Sequence, residues 1–428
     1  MTSADERETL YRRTIRVLIV TQVLSGAGLA AGVTVGALLA EDMLGSTGSA
    51  GLPAALFTLG SAGAAILVGR LSQASGRRPG LAAGYAVGAV GGGGVVLAAT
   101  IDSVPLLFAS LLLYGSGTAT NLQARYAGAD LVEPARRGRA ISTVLVATTA
   151  GAVLGPNLVG ATGSIAEEVG IRALAGPFML ATIAYGLGAI VVLVLLRPDP
   201  LLAARAWTHA AEREATPGTL ATDAGRGSRR DLRLAAVALV ITQIVMVAVM
   251  TMTPIYMRDH DHGLAATGMV ISVHIAAMFL PSPITGILVD RFGRRPVIAV
   301  GGVTLLAAGL LGAVVPADST PLLAVSLGLL GLGWNFGLVA GTALVTDATP
   351  LARRASTQGS VDLAVALAGA TGGISSGFVV ATTSYPALSL AGGALALAML
   401  PLLLATREPG PPARPGAPVP AGGPGTRH

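Results

Sequence analysis

The sequence predicts an all-α integral membrane protein: twelve transmembrane helices in two six-helix halves related by a parallel pseudo-repeat. Three observations carry this expectation. The 428 residues are 52% hydrophobic and 12% charged, with a mean hydropathy of +0.71; a soluble chain carries about twice that charge. Residues 1–16, 197–231 and 407–428 hold 22 of the 50 charges, which leaves long apolar runs between them. A set of residues also recurs at one fixed offset, 217 positions along the chain. A soluble enzyme, a secreted disulfide scaffold and a disordered chain are excluded on these grounds.

A bilayer core takes about 20 apolar residues per helix. In order, the runs that meet this are 17–40, 51–70, 80–100, 104–130, 140–164, 172–196, 233–257, 264–289, 296–315, 320–346, 356–382 and 386–406. The first is too long for a signal-peptide core and has no clear cleavage site, so it is expected to be a retained span. Almost none has the broad charged face of a helix in a soluble core. The expected organisation is a cytoplasmic segment (1–16), a first six-helix half (17–196), a central loop (197–231), a second half (232–406) and a disordered tail (407–428). That tail contains seven Pro and five Gly. In the central loop, Leu201–Glu214 reads either as a short helix lying along the membrane, with Trp207 as anchor, or as flexible linker.

Orientation follows from arginine. With the N-terminus inside, 25 of the 28 Arg fall on the cytoplasmic side, Arg172 and Arg258 fall outside, and Arg125 lies within a span. Such asymmetry places both termini in the cytoplasm, in a multi-pass protein of the cell membrane. The net charge of +6 is then a property of loops and requires no nucleic acid. There is no Cys, and every basic residue is Arg. Thiol chemistry, disulfides, Cys-ligated metals and lysine Schiff bases are therefore excluded. No cofactor and no metal are expected. The Asp259-His260-Asp261-His262 run has metal-like spacing but reads as a solvated turn.

The repeat is read directly. Gly69, Gly76, Arg77 and Arg78 recur as Gly286, Gly293, Arg294 and Arg295; Asp130, Arg136 and Arg137 recur as Asp347, Arg353 and Arg354; Gly155 and Gly160 recur as Gly372 and Gly377. Both copies start on the same side, so the repeat axis runs along the membrane normal.

Gly286–Pro296, GILVDRFGRRP, resembles the loop motif G-x-L-x-D-R-x-G-R-R of the major facilitator superfamily, with Asp290 and Arg291 at its centre. Gly69–Pro79, GRLSQASGRRP, resembles its first copy, with Gln73 in place of Asp. Gly151–Gly160, GAVLGPNLVG, resembles the fifth-span motif of the superfamily's antiporters, with Val159 at one glycine position. The fourth span departs from the twelve-span drug:proton antiporter branch, having Leu111 where that branch has Arg. The resemblance covers residues 16–406. It implies secondary active transport by alternating access, and the fifth-span motif implies export.

The motif glycines permit a tight turn and close helix approach. Arg77, Arg78, Arg294 and Arg295, with Asp130, Arg136, Asp347 and Arg353 nearby, either pair to hold the cytoplasmic side shut or only set topology. Gly151, Gly155, Pro156 and Gly160 suit a tightly packed fifth-span interface that can hinge, or ordinary packing. Tyr114, Thr118, Asn121 and Arg125 share one helix face and are assigned to a substrate cavity, because in the superfamily the fourth span borders it. Gln22, Gln243, Trp334 and Asn335 are further candidates. Arg125 is an intramembrane charge and a functional candidate by default, although it lies close enough to the membrane surface to snorkel. Asp362 and His274 are the titratable groups placed to exchange protons; Asp362 has pairing with Arg70 as its alternative, and His274 a satisfied core position. The expected function is proton-coupled efflux of a small amphiphilic or drug-like compound by a monomer in contact with membrane lipids. Uptake or facilitated diffusion of a small metabolite is the alternative. A membrane enzyme acting on lipid-linked substrates is disfavoured, because no nucleophile–base pair recurs at catalytic spacing.

Overall fold

The computed structural model describes residues 3–44, 51–214 and 228–400. Inside a bilayer every backbone N–H and C=O must be satisfied within the chain, and the helix does this locally. Among the described residues there are fifteen α-helices and no strand. The first half contains α1 (Ser3–Leu44), α2 (Gly51–Ser75), α3 (Arg77–Thr100), α4 (Val104–Ala129), α5 (Arg137–Asn157), α6 (Val159–Glu168) and α7 (Gly176–Leu195). The connecting α8 (Pro200–Glu214) follows. The second half contains α9 (Arg229–Arg258), α10 (Leu264–Phe279), α11 (Ser282–Phe292), α12 (Arg294–Val314), α13 (Thr320–Asp347), α14 (Arg354–Thr382) and α15 (Tyr385–Leu397).

Twelve spans result when α5–α6 and α10–α11 are each one broken span and α8 is set apart. The first break follows Pro156, and the second falls at Pro281-Ser282-Pro283, where proline nitrogens have no proton to give. Eight described segments are long and apolar enough on their own to cross a membrane. Of the remaining spans, α4 is diluted by Thr118, Asn121, Gln123 and Arg125, and α5–α6 is interrupted.

The packing repeats with the sequence. In the first half α1 packs on α5 and α7, and α3 on α4 and α7; in the second α9 packs on α14 and α15, and α12 on α13 and α15. Each half has its own apolar core, and Ile141 and Leu145 of α5 join the core of the second. The outer surface is inverted relative to a soluble protein. Leu67, Val90, Ile183, Ile284, Ile374 and Phe378 all lie exposed, whereas Gln22, Asn121, Arg125 and Asn335 are buried. Lipid on the outside accounts for both facts. The halves meet along α2–α14 and along α5–α11, which are the same contact under the repeat. Both lie toward the end of the bundle that carries the arginines.

Candidate functional site at the junction of the halves

The Arg-rich end is built twice. Gly76 and Gly293 adopt the same backbone, φ 100°, ψ 168° and φ 93°, ψ 166°, a left-handed turn that a Cβ would strain. Each turn launches a helix whose first residue points an arginine inward. Arg77 Nε meets Asp130 at 2.7 Å, and Arg294 Nε meets Asp347 at 2.7 Å. The opposite half adds a second cation to each carboxylate: Arg354 reaches Asp130 at 3.7 Å, and Arg137 pairs with Asp347. Every one of these residues maps onto its counterpart by the 217-residue offset.

The motif's acidic position works across the junction. Asp290 accepts the backbone N–H groups of Gly138 and Arg139, at 2.8 and 3.0 Å, at the N-terminus of α5. A carboxylate there satisfies orphan donors and meets the positive end of the helix dipole. Gln73 does the equivalent for α14, accepting from Ala355 at 2.8 Å and donating to the Ala352 carbonyl at 2.7 Å. Glycine allows this proximity, since a Cβ on Gly138 would lie 2.6 Å from the Gly286 carbonyl and one on Gly69 would lie 2.9 Å from that of Ala355.

Other members of the motif group have different partners. Arg136 bonds Glu8 at 3.1 Å, not Asp130; bonds from Arg12 and Arg136 hold the Glu8 carboxyl below its ordinary range. Arg295 pairs with Asp231 at 2.6 Å, the backbone N–H of Arg78 donates to Asp199, and Arg291 lies over the Phe292 ring. Arg353 is exposed. Gly151 packs against the α1 backbone, where a Cβ would lie 2.0 Å from the Val23 carbonyl; Gly155 is buried, and Gly160 faces open space. The Pro156 side chain, the loop 215–227 and the tail 407–428 lie outside what is described.

Further inside, one buried ion pair has no symmetric copy. Arg125 Nη2 donates to Asp362 Oδ1 at 2.8 Å, and both residues are buried. Arg125 Nε donates to Thr342 Oγ1 at 3.0 Å, and the Tyr126 hydroxyl donates to Asp362 Oδ1 at 3.2 Å. Asp362 Oδ2 is buried with no hydrogen-bond partner. Thr342 is Arg125's own counterpart under the repeat, and Leu145 is that of Asp362. A cation from one half therefore meets an anion from the other on the repeat axis. Arg70, the partner considered from sequence, is exposed, so Asp362 pairs elsewhere.

The remaining candidates separate into two internal clusters. Gln22 donates to Thr148 at 2.9 Å and accepts from Tyr85 at 3.0 Å, and Asn121 donates to Ser25 at 2.6 Å. Tyr114 donates to the Gly28 carbonyl, and Thr118 is half-buried. Gln22, Tyr114 and Asn121 find their partners within the first half, so of the stripe on α4 it is Arg125 that bonds across to the second. There, Trp334 donates to Gln243 at 2.9 Å, while Asn335 bonds Ser282, the Met278 carbonyl and Thr285. Asn335 thus secures the α10–α11 break. His274 Nδ1 donates to the Leu327 carbonyl at 2.8 Å. In the 259–262 loop, His262 bonds Ala317 and Thr320 and His260 bonds Tyr256. Among the described residues no cluster of three or more His, Asp or Glu is arranged to hold a metal.

Sequence reading missed Thr342, Gln358 and the cross-half roles of Arg137 and Arg354. Gln358 accepts from Arg77 at 2.5 Å. Applying the offset to Arg125 would have found Thr342; no sequence signal marks Gln358.

The arrangement is a two-part clamp around one asymmetric buried ion pair, in a bundle that repeats itself. The chain is 53% identical over 407 residues to the "Uncharacterized MFS-type transporter YdeG" of Bacillus subtilis, covering 95% of each. It is 30% identical over 415 residues to the "Riboflavin transporter RfnT" of Brucella anthropi, covering 94% of this chain and 98% of that one. Its fold is similar to that of the proton:xylose symporter XylE, with a TM-score of 0.73 at 16% identity, covering 94% and 96% of the two chains. The profile of the Major Facilitator Superfamily matches residues 17–281 and 235–424, and the chain belongs to that family of membrane transporters.

Proposed function

We propose that this transporter is a monomeric, proton-coupled antiporter of the cell membrane, with both termini cytoplasmic, that exports a small amphiphilic compound by alternating access. The observation that supports coupling is the Arg125–Asp362 pair, buried, shared between halves and absent from the repeat. Both charges are stable where they are only while they face each other. A proton on Asp362 removes the anion, frees Arg125, and takes away one tie between the halves. The clamp at Asp130 and Asp347 then separates, and the protein opens toward the arginine side. His274 is a second candidate for carrying protons. Substrate contacts are proposed for Gln22, Tyr114, Thr118, Asn121, Gln243, Trp334 and Asn335, with Arg125 at the floor. The gate comprises the motif residues already placed.

The test is transport by purified protein in proteoliposomes with an imposed pH gradient, with Asp362→Asn as variant. The expected result is loss of gradient-driven transport with substrate counterflow retained, because exchange needs no net proton movement. Normal gradient-driven transport by Asp362→Asn would overturn the assignment. A second reading, uptake of a small metabolite, is supported by the relative named as a riboflavin transporter. Radiolabelled riboflavin in the same vesicles separates the two by its direction of movement.

A further inference from the structure

The two interfaces between the halves are equivalent by sequence offset and share the Arg–Asp pairs, yet they differ in their access to water. The Asp130 carboxylate and Arg77 are both fully buried, whereas the Asp347 carboxylate is 24% exposed. The first interface carries the Arg77–Gln358 bond, which has no counterpart because Ile141 stands at that place in the repeat, and it also lies beneath an added helix. The helix above the first interface is α8, in the connecting segment, and among the described residues it has no copy above the second. It packs against α1, α3 and α4 of the first half and against residues 351–353 of the second.

Three contacts fix its position. Asp199 accepts the Arg78 N–H at 2.7 Å and also those of Leu201 and Leu202 at 3.0 and 3.1 Å, joining the start of α8 to the start of α3. The Arg7 guanidinium lies 4.9 Å over the Trp207 ring, joining the middle of α8 to α1. Between these, Arg205 Nη2 donates to the Gln73 carbonyl at 3.0 Å and to the Leu351 carbonyl at 3.4 Å. Those carbonyls belong to opposite halves. Leu201 and Ala204 face inward, whereas Leu202 is exposed.

We infer that α8 is a strap across the α2–α14 interface, which stays with the first half and holds the second through Arg205. The inference rests on alternating access: opening at the Arg-rich end parts Gln73 from Leu351, and Arg205 cannot keep both. Asp199 and Trp207 tie α8 to the first half, so the Leu351 contact is the one that breaks. The two interfaces consequently open at unequal cost, and α2–α14 is the one under control of the connecting segment.

The chain contains no Cys, so single-cysteine labelling can report each interface separately. Thr349 and Val132 are counterparts under the repeat and both buried; Thr349 stands two residues before Leu351, which accepts from Arg205, and Val132 two before Pro134, which accepts from Arg294. Maleimide labelling rates of Thr349→Cys and Val132→Cys are measured in the purified full chain in nanodiscs, each alone, with Arg205→Ala and with Asp347→Asn. Losing a charged donor's hydrogen bonds is expected to speed labelling at 349 about tenfold in Arg205→Ala, with no change at 132. Arg205→Lys, which keeps a cationic donor, restores most of the protection. Asp347→Asn speeds labelling at 132. If Asp347→Asn acts as expected but Arg205→Ala changes neither site, or both equally, the strap is refuted while alternating access stands. If no variant changes either rate, alternating access at this end fails, and the strap with it.

Discussion

Replacing Arg125 with alanine tests the asymmetric pair directly, because the structure sets the scale of the effect. Arg125 is 1% exposed and Asp362 6%. Removing one partner of a buried pair costs about 3–5 kcal/mol, chiefly through the charge left without compensation. That penalty falls on the conformation in which the halves are closed around Asp362; once they part, water reaches the carboxylate. The closed-to-open ratio should therefore fall by roughly 100-fold or more in Arg125→Ala. Removing both groups, in Arg125→Ala with Asp362→Ala, leaves no buried charge and should recover most of the loss, giving a coupling of about 2–3 kcal/mol in a double-mutant cycle. Spin labels at Leu71→Cys on α2 and Ser360→Cys on α14, both exposed and on opposite halves, read the two conformations by pulsed electron resonance. An unchanged distance distribution in Arg125→Ala would refute the reasoning, and so would a double variant more open than the single one.

Two further outcomes are expected. Gly138→Ala places a methyl group 2.6 Å from the Gly286 carbonyl; overpacking of this kind costs about 1–3 kcal/mol and should force α5 and α11 apart, seen as a longer distance between labels on those helices. No lengthening would mean that the contact yields without separating the halves. Reporter fusions at Ser103, Thr219 and the C-terminus should place the first outside and the other two in the cytoplasm; an outside result at Thr219 would overturn the six-plus-six topology.

The clamp was largely legible in the chain because it is local and repeated. Gly76 with Arg77 and Gly293 with Arg294 are adjacent in sequence, and the offset marks both copies along with Asp130 and Asp347. Pairing of these aspartates with the arginines nearby was one of the two readings open, and the structure selects Arg77 for Asp130 and Arg294 for Asp347, while a 3-10 turn at Pro134–Arg136 directs Arg136 outward to Glu8. The α4 stripe likewise divides: Tyr114 and Asn121 find partners on α1, while Arg125, lower on the same face, meets the other half.

By itself, then, the sequence determined the membrane as solvent, the spans, the twofold repeat and the positions where glycine and arginine shape the loops. These follow from composition, run length and spacing, which act within one helix or one turn. The tertiary structure decided which charges pair, that Asp362 faces Arg125 and not Arg70, and that α8 packs over one of the two interfaces. Those outcomes depend on how two separately packed halves are set against each other. Contacts between residues more than 200 positions apart leave no periodic trace in either segment.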